Sequence, residues 1–177
     1  ARGYVYIGMD HFALPTDELA VAQRAHTLQR NFQGYSTRAG ADIYGFGMSS
    51  ISQTATHYRQ NEKTLDPYYR RLDAGELPWT RACFLTPEDM IRREVIMRLM
   101  CDLELDYDRI GQALGIDFRR HFATEIASFE GPAADGLVSL SENGIHVTES
   151  GRLLIRNLAM NFDAYIATAE KRFSRTI

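Results

Sequence analysis

Residues Arg30–Ser52 read RNFQGYSTRAGADIYGFGMSSIS. The stretch sets an aromatic beside an amide (Phe32, Gln33), brakes at Gly34, crosses a polar loop and enters a short apolar run broken by Gly45 and Gly47. Glycine weakens a strand, because it costs backbone entropy and has no side chain to pack. It often marks where another backbone or a ligand comes close. The plainer account of Gly45 and Gly47 is a bend or bulge in a buried strand. GFG is not a dinucleotide fingerprint, which needs three spaced glycines between strand and helix. On its residues alone, the stretch points to a ligand without naming it.

Upstream, Tyr4–Ile7 is a β-prone run ended by Gly8. Pro15-Thr16-Asp17-Glu18 reads as a helix start, with Thr16 as cap. Val21, Ala25, Leu28 and Phe32 step by four, three and four along one helical face, and Gly34 stops it. With Ile43–Met48 as the next strand, residues 4–48 spell strand, helix, strand, the grammar of a parallel sheet covered by helices. Active residues of such sheets sit beyond the carboxyl ends of strands, where Asp10 and His11 fall. Neighbours along a strand point to opposite faces, so a structural histidine is the better account of His11 than an acid–base pair.

Downstream the pattern turns helical. Leu65, Tyr68, Tyr69 and Leu72 share one face, closed by Gly75 and Pro78, and Leu77-Pro78-Trp79 reads as a connector. Thr86-Pro87-Glu88-Asp89 supplies a cap hydroxyl, a first-turn proline and two acids. The helix behind it, Met90 to about Leu103, is apolar over an arc wide enough to be central. Asp106 caps a short helix ending at Gly115, and Asp117 caps one through Phe118, Phe122, Ile126 and Phe129 to Gly131-Pro132. Glu142-Asn143-Gly144 marks a hairpin between Leu137–Leu140 and Ile145–Thr148. Ser150 opens a last helix with Leu154, Ile155, Leu158, Ala159, Phe162 and Ile166 as apolar rows. Three helices and a hairpin outline a winged helix. Its third helix balances Arg119 and Arg120 against Asp117, Glu125 and Glu130, and a near-neutral face is poorly suited to phosphate contacts.

Composition sets wide bounds. The 177 residues are 45% apolar and 24% charged with net charge -3, so nothing draws the chain generally to nucleic acid or anionic membrane. No run approaches the ~18 apolar residues of a membrane span. Cys83 and Cys101 have no metal-ligand spacing and read as reduced, cytosolic and buried. A start at Ala1, almost at once in a strand-like run, is how a fragment begins.

Taken whole, the sequence resembles the carboxyl-terminal part of the oxygen-independent coproporphyrinogen III oxidases, radical S-adenosylmethionine (SAM) enzymes. IGMDHFALPTDELAVAQ (Ile7–Gln23), RNFQGYST (Arg30–Thr37), GFGMSSIS (Gly45–Ser52) and YRQN (Tyr58–Asn61) carry the likeness. So do IRREVIMRLMC (Ile91–Cys101), DGLV (Asp135–Val138), VTESGRLLIRNLAMNFDAY (Val147–Tyr165) and the closing FSRTI, which looks like a natural C-terminus. The family's CxxxCxxC motif, whose cysteines hold a [4Fe-4S] cluster, has no counterpart here, nor does its glycine-rich SAM-binding stretch.

The resemblance implies an α+β chain. Residues 1–60 would be the final strand–helix–strand part of a parallel partial barrel, and 61–80 a connecting helix and linker. Residues 81–177 would form a mainly helical, winged-helix-like domain with a hairpin near 137–148. The implied reaction converts two propionates of coproporphyrinogen III to vinyls, giving protoporphyrinogen IX in haem synthesis. A 5′-deoxyadenosyl radical made from SAM by the cluster initiates it. By matching motif positions, Phe32, Gln33 and Ile51 line the SAM site, with no catalytic group or metal ligand in this chain. The substrate's four carboxylates call for arginines, and Arg152 and Arg156, four apart on one helical face, are the candidates, with Arg30 behind them. The implied partners are the small-molecule substrate and the missing N-terminal barrel, without nucleic acid or membrane. The competing reading is a winged-helix interaction, regulatory or haem-binding module without oxidase activity.

Overall fold

A computed structural model describes residues 3–166. They form a mixed α/β structure in two compact units: residues up to 37 together with those from 91 on, and residues 38–90. Every strand pairing among the described residues is antiparallel.

The first unit starts with β1 (Val5–Gly8), which turns through Met9-Asp10 and pairs with β2 (His11–Ala13). α1 (Glu18–Arg24) is capped by Asp17, not Thr16, and buries Ala20 and Ala22. The helix expected to run to Phe32 stops here. Val21, Ala25 and Phe32 are exposed, His26 takes a positive φ of 54°, and the chain re-enters as β3 (Gln29–Asn31), paired with β4 (Gly34–Ser36). The parallel strand–helix–strand anticipated over residues 4–48 is therefore replaced, among the described residues, by two antiparallel hairpins flanking a two-turn helix.

In the second unit, β5 (Ile51–Gln53), β6 (His57–Asn61) and β7 (Trp79–Phe84) form one sheet, with α2 (Leu65–Asp73) between the last two. Leu77-Pro78-Trp79 is thus no free connector, since Trp79 opens a strand. The strand expected at Ile43–Met48 shrinks to one bridge, Ile43 to Gln53. Asn61, buried, gathers the rest into a loop by donating to the Gly47 carbonyl at 2.9 Å and to Ser50 Oγ at 3.0 Å. A Cβ on Gly45 would stand 2.6 Å from the Ile51 carbonyl oxygen, so the close approach that glycine signalled is made by the chain's own backbone. The buried residues of this unit are Asn61, Pro78 and Asp89.

α3 (Pro87–Asp102) begins in the second unit and ends in the first. Thr86 and Asp89 make a reciprocal cap: Thr86 N–H donates to Asp89 Oδ2 at 2.8 Å, and Asp89 N–H to Thr86 Oγ1 at 3.2 Å. Its apolar arc serves two cores. Met97 and Cys101 pack with Ile7, Ala13, Ala20, Ala22 and Leu28. Val95, Leu99 and Met100 face the larger core of α4 (Tyr107–Leu114), α5 (Phe118–His121) and the three-stranded sheet. That sheet orders β8 (Glu104–Asp106), β10 (Gly144–Val147) and β9 (Val138–Ser141), the last two joined by the expected Glu142-Asn143 turn.

Two expected helices are broken. Asp117 does cap, accepting from Arg120 N–H, but the helix divides into α5, α6 (Ala123–Ala127) and α7 (Glu130–Ala134). Gly131 and Pro132 sit in the first turn of α7, where a missing N–H costs nothing, instead of ending a helix. The breaks let Phe118, Phe122 and Phe129 converge on Phe162, at centroid distances of 6.5, 5.4 and 5.6 Å. All four rings are buried, each worth about 1.5–3 kcal/mol by area. The last helix is likewise split into α8 (Glu149–Arg152), capped by Thr148 instead of Ser150, and α9 (Ile155–Ala159), followed by a 3-10 turn. Leu154 falls in the break and is exposed. Ile166 is the last described residue, and the closing FSRTI lies outside the described residues.

Candidate functional site

Phe32 and Gln33 form the two-residue turn between β3 and β4. Asn31 Oδ1 accepts the Gln33 N–H at 2.8 Å, a side-chain turn that tightens the tip and leaves the Gln33 amide exposed. Phe32 keeps 41% of its surface open. An uncovered benzyl ring beside an uncommitted donor–acceptor amide is a surface that can pack an apolar plane and hydrogen-bond its edge.

The base of the hairpin is packed. A Cβ on Gly34 (φ 147°) would stand 3.0 Å from His11 Nε2, and one on Gly8 would overlap the Tyr35 hydroxyl. Tyr35 meets His11 edge-on at 5.3 Å, and burial pushes its phenol up to about 12. Burial does the same to the neighbouring Cys101 thiol, also to about 12, which leaves it inert as a nucleophile. Cys83, expected to be buried, is exposed. Asp10 occupies the hairpin turn and not a strand, so the alternation of faces does not separate it from His11. His11 Nδ1 lies 2.9 Å from Asp10 Oδ1 without hydrogen-bond alignment.

The three arginines differ. Arg152 donates to the Tyr6 carbonyl at 2.7 Å and to Glu149 at 2.9 Å, with its guanidinium over the Tyr6 ring. Arg30 reaches Met9 Sδ at 3.1 Å and covers Tyr35. The Nε of each is buried without a hydrogen-bond partner among the described residues. Arg156 is exposed on α9, so it and Arg152 do not share one continuous helix. Ile51, on β5 of the second unit, is half-buried. The register sets it opposite Gln60, and Gln60 opposite Arg81, so the three side chains form one row on one face of that sheet.

A family profile described as the HemN C-terminal domain matches residues 85–154. An oxygen-independent coproporphyrinogen III oxidase of Pseudomonas aeruginosa is 49% identical over 178 residues, spanning 100% of this chain and 39% of the relative. The chain is similar to the C-terminal part of these oxidases. The Thermostichus vulcanus oxidase is 48% identical over 179 residues, with 55% of that relative spanned. A solved structure titled "Coproporphyrinogen III oxidase (HemN) from Escherichia coli is a Radical SAM enzyme" superposes with a TM-score of 0.88 at 49% identity. It covers 93% of this chain, which in turn covers 38% of it. The chain therefore spans about two fifths of the P. aeruginosa and E. coli oxidases.

The chemistry of the donor set fits one of the groups a radical SAM enzyme uses and not the other. The Phe32–Gln33 tip suits an adenosyl group or a sulfonium's methylenes, having an open ring and an open amide. A cubane cluster needs three thiolates. This chain has two cysteines, one in each unit, and no three His, Cys, Asp or Glu side chains come together as ligands among the described residues. Reading the sequence missed the Ile51–Gln60–Arg81 row, which needs the strand register. It also missed Arg98 on α3, whose carbonyl partners lie some seventy residues earlier.

Proposed function

We propose that this chain is the SAM-facing wall and substrate cover of an oxygen-independent coproporphyrinogen III oxidase. The whole enzyme oxidatively decarboxylates two propionates of coproporphyrinogen III to vinyls, and this part alone is inactive. The observation that carries the reading is the braced turn that offers Phe32 and Gln33 outward. When bound, SAM and the cluster held elsewhere in the polypeptide supply the radical chemistry. Phe32 and Ile51 give apolar contact and exclude water, while Gln33 holds a polar edge of the cofactor in register. Arg156, exposed, and Arg30 and Arg152, each with one buried unpaired Nε, are the cations for substrate carboxylates.

In the same reading, residues 1–60 close a parallel α/β partial barrel built mainly from the rest of the polypeptide. Residues 61–80 link, and 81–177 cover the substrate as a winged-helix-like domain. A cytoplasmic setting goes with it; no helix among the described residues is long and apolar enough to cross a membrane. The winged-helix module as a nucleic-acid binder is disfavoured by Arg119. Its guanidinium is spent on Asp108, the Glu142 carbonyl and Asn143 Oδ1 at the hairpin turn.

The test uses the full-length enzyme with its cluster reconstituted. Truncating Phe32, Gln33 or Ile51 to alanine should each weaken SAM binding about tenfold, the worth of one well-made contact. Equilibrium dialysis reads this directly, and normal SAM affinity in the triple variant would refute the assignment.

A further inference from the structure

β3 and β4 have three residues each, too little for a hairpin to hold its shape alone in water. Its supports come from α3. Arg98 Nη2 donates to the Leu28 carbonyl at 2.7 Å and Nη1 to the His26 carbonyl at 3.2 Å. Those two carbonyls bracket the segment that leads into β3, where His26 holds a positive φ that its own preference would not choose. On the other strand, Tyr35 Oη reaches the Met100 carbonyl, two residues along α3, at 3.5 Å. Arg98 is itself held in place. Its side chain is 11% exposed, and Nη1 lies 3.4 and 3.2 Å from the two oxygens of Asp102, a carboxylate with no exposed surface. Glu94 approaches Nε at 3.2 Å. A planar fork can serve two carbonyls and two carboxylates at once, and a lysine ammonium cannot.

We propose that Arg98 is a positioning residue for the SAM site. It clamps the His26 and Leu28 carbonyls and so fixes where the β3–β4 turn presents Phe32 and Gln33, with Asp102 orienting the guanidinium. The proposal rests on the reading of Phe32 and Gln33 as SAM contacts. Leu28 and Phe32 are four residues apart, ~13 Å along a strand, so Arg98 acts through the hairpin and not on the cofactor. Arg98 and Asp102 lie inside the stretch matched as the HemN C-terminal domain, and the hairpin lies outside it. The covering domain thereby sets the geometry of a cofactor wall that precedes it in the chain.

The experiment compares Arg98→Met, Arg98→Lys and Asp102→Asn in the full-length reconstituted enzyme. It measures SAM dissociation constants, KM for coproporphyrinogen and hydrogen exchange of amides 29–36. Arg98→Met should weaken SAM about tenfold, with a smaller rise in KM for coproporphyrinogen through Arg30 on β3, and the hairpin amides should lose protection. Arg98→Lys should lose nearly as much, and Asp102→Asn part of it. Adding Gln33→Ala to Arg98→Met should weaken SAM by less than Gln33→Ala does alone, because the amide is already displaced. Unchanged SAM affinity and hairpin protection in Arg98→Met would overturn the proposal. So would equal losses for SAM and porphyrinogen with a fully multiplicative double variant, which is general destabilisation. If Arg98→Met fails to fold, Arg98→Lys carries the same comparisons. If Phe32→Ala and Gln33→Ala leave SAM binding intact, the cofactor reading falls, and the exchange data alone decide the clamp.

Discussion

Asp102 and Asp108 titrate in opposite senses within one unit. Burial raises the Asp102 carboxyl above its ordinary range in spite of Arg98, His26 and Arg109, whereas the hydrogen bond and charge of Arg119 hold Asp108 below it. A raised carboxyl binds its proton more tightly in the folded chain. Its contribution to stability is complete below the unfolded value, near 3.9, and is lost as pH climbs through the folded one. A depressed carboxyl contributes above the unfolded value and loses that contribution as pH falls through the folded one. In urea titrations from about pH 3 to 7, the stability of the wild type minus that of Asp102→Asn should therefore fall with rising pH. The difference against Asp108→Asn should rise. The arginines divide just as sharply. On the proposed function, Arg156→Ala in the full-length enzyme should raise KM for coproporphyrinogen several-fold at constant stability, whereas Arg152→Ala, which also abandons the Tyr6 carbonyl, should lose about 1–3 kcal/mol besides. Unchanged substrate kinetics in both would remove them from the substrate's carboxylates.

The turn into α8 shows what a single element depends on. Thr148 Oγ1 accepts the Gly151 N–H at 3.1 Å and donates to the Gly136 carbonyl at 2.8 Å, while a Cβ on Gly151 would collide with the Leu137 carbonyl. Thr148→Ala should cost about 1 kcal/mol and Gly151→Ala more than about 2, read from urea midpoints at constant m. Elements of this kind were legible in the sequence. The caps at Thr86, Asp106 and Asp117, the αL glycine at Gly115 and the Asn143 turn are local chemistry, decided within four residues. β3 and β4 were not, because three-residue strands are too short to show a period of two. Leu28 alone of the supposed helical face is buried, so the four–three–four spacing there was coincidence. The breaks after Phe122 and Leu153 were illegible for another reason: they serve the convergence on Phe162, a tertiary demand that overrides helical spacing. Phe32, Gln33 and Ile51 stood out only by resemblance to a family, since nothing in the pattern separates an exposed phenylalanine from a buried one. Arg98 was one arginine among several on α3 until its carbonyl partners were in place.

At the scale of the molecule, the two units are unequally built. The first has two cores, while residues 38–90 bury no apolar side chain besides Pro78 among those described and leave Phe46 91% and Phe84 74% open. At ~25 cal/mol per Å², uncovered rings of that size favour association. The 177-residue chain by itself should self-associate in sedimentation velocity, with residues 38–90 exchanging their amides first. A monodisperse monomer fully protected over 38–90 would contradict this.

The first unit is also discontinuous: residues 3–37 belong with those from 91 onward, and 53 residues, Arg38 to Met90, are translated in between. Ile7, Ala20 and Leu28 leave the ribosome before the Met97 and Cys101 they pack against exist. At ~5–20 residues per second the wait is roughly 3–10 s. Throughout it the nascent hairpins lack those α3 partners, so rare codons within the intervening stretch should lower the yield of folded protein without altering a single amino acid.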